Sequence, residues 1–251
     1  MSGVWRVTAA VAACGTFLAT LSACGGAVPG ETRAEGAQGR RDQSTHSSTG
    51  QGAPGGGTTG IPGVGERLYR RIPAVSRQVV AVYGEGSGSA DSTVVLYTRQ
   101  GAGWRPAGGW PAHNGRNGWT LHHRMGDERS PVGVFTLSDA GGVLADPGTR
   151  LPYDQDAGAY APPAEWDEAH QHDFDYVIAI DYNRLRGTPP HDPTRPEGEG
   201  RGGGIWLHLD HGSGTSACVS LSKEVMRYLL HTLDPALHPV VVMGDREELH
   251  A

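Results

Sequence analysis

The run GIWLHLDHGSGTSACVSL, residues 204–221, decides how the chain reads. Ile205 to Leu209 is short, apolar and β-prone, so it predicts a strand that carries His208. Gly212-Ser213-Gly214 predicts a tight turn that lets backbone approach a ligand closely. Cys218 follows, just ahead of a segment that Ser222 can cap as a helix. A thiol attacks as its thiolate, and a nearby imidazole can take the proton. Ten residues separate His208 from Cys218, and a strand with a reversing loop can bring the two together. The backbone N–H of Cys218, read as close to a helix start, is a candidate oxyanion donor.

Working outward, Val225, Met226, Leu229, Leu230 and Leu233 recur at helical spacing, with Pro235 just beyond. Short β-branched runs precede and follow this helix: 78–83, 93–98, 132–137, 176–181, 205–209 and 240–243. Gly, Pro and Asp clusters separate them, so the ordered part reads as mainly β. The expected class is a β-rich sandwich or barrel with a mixed sheet and one or two helices. Residues 138–172 and 184–204 read as long loops, which in a compact domain commonly carry function.

The N-terminal end reads differently. Arg6 precedes an apolar run from Val7 to Leu21, too short for a comfortable membrane span. Leu21-Ser22-Ala23-Cys24 then resembles the lipobox of bacterial lipoproteins. That resemblance implies a signal peptide over 1–23, cleavage before Cys24, a lipid on its sulfur, and a membrane-anchored location facing the cell wall. Residues 24–64 are rich in Gly, Ser, Thr and Pro, and are expected to form a flexible tether reaching roughly 35 Å. The domain is expected over 65–251. Of three cysteines, Cys14 goes with the signal and Cys24 with the lipid, so Cys218 is left as the one thiol. Acidic residues number 27 against 21 basic, and no basic run exceeds two residues, which argues against a nucleic-acid partner.

With these residues in view, the chain resembles the L,D-transpeptidase (YkuD-like) catalytic family. His208 followed by Thr215-Ser216-Ala217-Cys218-Val219-Ser220-Leu221 is similar to its signature. Asn114-Gly115-Arg116-Asn117-Gly118, Gly126-Asp127 and Ser130-Pro131-Val132-Gly133-Val134-Phe135 resemble a second family stretch, and Asp181-Tyr182-Asn183 a third. Together they span about residues 78 to 244. The resemblance implies a β-rich fold and peptidoglycan cross-linking. Cys218 would be the nucleophile and His208 the base, then acid. Thr215, Ser216, Ala217, His211 and Tyr182 would line the site. Peptidoglycan peptide stems would be the partners, with no cofactor. Two positions depart from the family. Ala217 stands where Gly is usual, at a cost of about 1 kcal/mol if φ must be positive there. Ser220 stands where Arg or Asn is common.

Other chemistries stay open on the residues alone. Cys218 could be a buried structural thiol. Asp210 and His211 read most simply as turn residues. His208, His211 and Cys218 could together hold zinc, yet no HExxH or CxxC spacing accompanies them, so the expectation is no metal. Water in place of an amine acceptor would make an L,D-carboxypeptidase. Ala217 leaves room for an inactive wall-binding lipoprotein. A sortase-type signature is absent. Asp139, Asp146, Asp154, Asp156, Glu165 and Asp167 read as solvated surface, and most tryptophans as core.

Overall fold

The computed structural model describes residues 59–251, and the expected signal peptide, Cys24 and nearly all of the expected tether lie outside them. Elements run in the order α1 (Glu66–Tyr69), β1 (Gln78–Gly84), β2 (Asp91–Gln100), β3 (Gly103–His113), β4 (Trp119–Thr120), β5 (Ser130–Pro131), β6 (Gly133–Gly142) and β7 (Tyr153–Gln155). Then follow β8 (Val177–Ile180), β9 (Trp206–Leu209), β10 (Val219–Leu221), α2 (Lys223–Thr232), β11 (Val240–Asp245) and α3 (Arg246–His250). The domain starts earlier than residue 65: Ile61 is buried in the core, and Tyr83 donates its hydroxyl proton to the Pro62 carbonyl. No helix among the described residues is long and apolar enough to cross a membrane.

The sheet order is β11-β1-β2-β3-β10-β9-β8-β6-β7, and β11 also pairs with β6. That extra pairing closes eight strands into a barrel, with β7 added outside the ring on β6. Closure removes most of the open edge that a flat sheet must otherwise protect. The sheet is mixed: β1 with β11 and β9 with β10 run parallel, while β1, β2 and β3 run antiparallel in sequence. β1 and β11 are buried along their whole lengths, which is why both read as near-continuous Val runs.

β3 escapes a propensity reading because Gly103–His113 contains three Gly and two Pro. It pairs with β2 along its length but meets β10 at one register position, Ser220 opposite His113. Most of its second edge is therefore unpaired, and Pro106 and Pro111 can omit their N–H donors there. α2 matches the expected helix. Ser222 Oγ accepts from Val225 N at 3.4 Å, and Val225, Met226, Leu229 and Leu230 face inward against the barrel.

Of the two expected loops, the first contains the end of β6 and all of β7. The second is pinned at its start. Arg184 Nη1 donates to Asp181 Oδ1 at 2.6 Å and Asp139 Oδ2 at 2.8 Å, all three side chains buried. Asp139 is thus a structural anion and not solvated surface. Asn183 adopts φ 44° and holds Glu197 N, Gly198 O and Gly202 O with its side-chain amide.

Candidate active site

β9 and β10 are parallel neighbours, with Leu207 opposite Val219 and His208 opposite Ser220. This register sets Cys218, one residue before β10, level with Trp206. The Trp206 N–H points at Cys218 Sγ from 3.4 Å. His208 follows two residues later on β9, on the same face as Trp206. Both His208 and Cys218 line a cavity of about 660 Å³. The sequence placed Cys218 against a helix start. The structure puts it ahead of β10, with α2 beginning five residues later, so the helix dipole does not act on the thiol directly.

The loop carrying Cys218 is held from below. Thr215 Oγ1 donates to the Cys218 carbonyl at 2.7 Å. Ser130 Oγ donates to the Ala217 carbonyl at 2.7 Å and accepts from Gly115 N at 2.9 Å. Thr215 N donates to Asn114 O, and Arg116 N to Thr215 O. Residues 114–116 and 130, from the second sequence block, therefore form the floor under Cys218. Gly115 is required there, since a Cβ would come within 2.7 Å of Glu128 O and Ser130 N.

Ala217 sits at negative φ, because the non-glycine residues with positive φ are Glu128, Asn183 and His238. It belongs to the buried core and does not line the cavity. Its methyl therefore brings neither backbone strain nor an obstruction to the thiol. Ser220, the other departure, is fully buried. Its hydroxyl donates to Asp210 Oδ1 at 2.7 Å, which also takes the His113 Nδ1 proton at 2.7 Å.

Protonation follows from burial. His208 Nδ1 donates to the Leu209 carbonyl at 2.7 Å, so the proton sits on Nδ1 and Nε2 keeps its lone pair. Burial pushes the His208 pKa from 6.5 down to about 4, against the pull of Asp173. Burial likewise pushes the Cys218 thiol from 9.0 up to about 11. The resting pair is neutral thiol and neutral imidazole. Among the described residues, Sγ contacts Trp206 N and, at 3.8 Å, Gly204 O, and makes no hydrogen bond to His208. The backbone N–H of Cys218 also has no partner among them.

The opposite wall comes from the end of the first long loop: Trp166, Asp167, His170, Asp173 and Phe174. Phe174 packs edge-on against both Trp206 and His208. His211 is no mere turn residue. Its side chain is 4% exposed, lies flat over His208 at 6.2 Å between centroids, and brings Nδ1 to 3.1 Å from Asp173 Oδ2. Thr215 and Ser216 reach the cavity, the latter from its exposed rim. Tyr182 does not. It packs against Phe135 and His123, and its hydroxyl donates toward Arg201 O at 3.0 Å. The zinc alternative on His208, His211 and Cys218 is not assembled among the described residues either. The metal-compatible group is His170, Asp173 and His211. Asp173 and Phe174 went unnoticed in the sequence because an irregular loop gives no periodicity to follow. The i, i+3 spacing of His170 and Asp173 was the available signal.

A family model described as the L,D-transpeptidase catalytic domain (YkuD) matches residues 88–242. No curated protein matches the chain. A solved structure of Bd1075 from Bdellovibrio bacteriovorus is similar at 19% identity, with a TM-score of 0.38. The match covers 75% of this chain and 53% of that one, so the chain spans about half that protein's length. A likeness that slight carries no argument.

Proposed function

Because the chain belongs to the L,D-transpeptidase catalytic-domain (YkuD) family, we propose that it is a cysteine acyltransferase that cross-links peptidoglycan. The observation that carries this reading is one cavity shared by Cys218, the one thiol among the described residues, and an imidazole whose Nε2 is free to accept. The thiol turns from the Gly204 carbonyl toward His208 as substrate fills the cavity. Nε2 takes the S–H proton while sulfur attacks the carbonyl that joins an L-centre diamino acid to the terminal D-Ala of a stem. The Cys218 N–H supports the oxyanion. The imidazolium returns its proton to the leaving nitrogen, D-Ala departs, and a thioester remains. An acceptor amine then attacks, gives its proton to Nε2, and leaves an amide bond as Cys218 regains its hydrogen. The Leu209 carbonyl keeps the imidazole aimed throughout. The negative φ at Ala217 spares the loop backbone strain, which supports the enzymatic reading. A lipid on Cys24 and a tether would hold this chemistry near the membrane, facing the wall.

The deciding experiment incubates the full chain with purified tetrapeptide muropeptides and follows products and intact protein mass. Cross-linked dimers with D-Ala release, absent in Cys218→Ala and His208→Ala, are expected. Tripeptide alone would reassign the chain as an L,D-carboxypeptidase. No product and no acyl adduct would overturn the enzymatic proposal.

A further inference from the structure

Three titratable side chains stand on the cavity wall that faces the thiol, and the proposed acyl transfer uses none of them. His170 closes a short 3-10 turn, Asp173 follows it, and His211 comes from the loop after β9. Asp173 Oδ2 lies 2.9 Å from His170 Nδ1 and 3.1 Å from His211 Nδ1. One ligand atom from each of the three falls within 4.8 Å of the other two. The Asp173 and His211 side chains are 3% and 4% exposed. Oδ2 of Asp173 meets both imidazoles, yet its Oδ1 is buried with no hydrogen-bond partner. A packed protein interior rarely leaves such a group without something to bind.

Two imidazoles and one carboxylate form a borderline donor set of the kind that zinc-class ions take. All three residues line the cavity, the side from which a fourth ligand would come. We propose that His170, Asp173 and His211 bind one divalent transition ion of the zinc class on the cavity wall, without Cys218 as a ligand. The ion's free position holds water or a carboxylate that enters the cavity.

The test needs no substrate, so its outcome is separate from that of the transpeptidase assay. Full-length protein is stripped with a chelator and titrated with Zn²⁺ by calorimetry, then with Co²⁺ by visible absorption. One ion per chain is expected. His170→Ala and Asp173→Asn should each weaken binding at least about tenfold, as for damage to a metal site. Cys218→Ser should leave affinity unchanged, and the Co²⁺ spectrum should lack an intense near-ultraviolet thiolate band. His170 is the most exposed of the three, so its variant keeps the core intact, which circular dichroism checks. No stoichiometric binding by folded protein would overturn the site. So would binding that survives both ligand substitutions, or binding lost in Cys218→Ser.

Discussion

At Cys218 the thiol stays uncharged in neutral solution, because burial lifts its ionisation to about 11. Alkylation by iodoacetamide should therefore climb with pH up to that value. Near neutral pH it should run about a hundredfold slower than an ordinary thiol, since two units of pKa separate their thiolate fractions. A plateau already reached near pH 7 would mean a preformed thiolate–imidazolium pair and would sink this account. His208 has a matching consequence for stability. Folded, it titrates at about 4, and unfolded near 6.5. Between these values the unfolded chain takes up a proton that the native chain refuses, so stability falls as pH falls through that window. The full loss below the window is roughly 3 kcal/mol, at about 1.4 kcal/mol per unit. Urea unfolding at pH 7 and pH 4.5 should show a shallower acid loss in His208→Gln than in the parent. Equal slopes would remove His208 as the cause. Cys218 and His208 were both legible in the sequence as candidates, since residue type and spacing are enough to single them out. Asp173 was not, since its importance comes from what an irregular loop folds against.

Among the elements, the floor beneath the nucleophile makes the sharpest prediction. Gly115→Ala forces a methyl to within 2.7 Å of backbone atoms, so Asn114 to Arg116 must pull away from Thr215. The expected cost is about 1–3 kcal/mol of stability, together with a fall in Cys218 acylation larger than any change in substrate binding. Wild-type acylation rates in a destabilised Gly115→Ala protein would separate the floor from function. At α2, Ser222→Ala should lower stability by about 1 kcal/mol and leave activity alone, read from denaturant midpoints. Strands rich in Val and Ile were readable because burial on both faces writes itself into composition. β3 was hidden because its partly unpaired edge tolerates Pro and Gly. The Asp139–Asp181–Arg184 cluster was hidden because a carboxylate's burial depends on a partner 45 residues away.

For the whole molecule, the mixed β-rich architecture was legible, but its closure was not. Strand propensity says nothing of which edges meet, and β11 meets two: β1 in parallel and β6 antiparallel. The cavity owes its position to a second long-range feature, the parallel pairing of β9 with β10 across a nine-residue return from Asp210 to Cys218. Strands of four and three residues make so short a return possible.

The placement of β11 also governs when the molecule can exist. A ribosome delivers residues 240–245 after every other strand of the barrel, and β1 and β6 have no other partner on those sides. Until then some 160 residues of β-prone chain wait as an open curl with two sticky margins. Cys218 precedes β11 by 22 residues, so a growing chain carries its thiol and imidazole before the barrel that frames their cavity is closed. The cavity is framed in one late stroke, when the last strand slides between the first and the sixth.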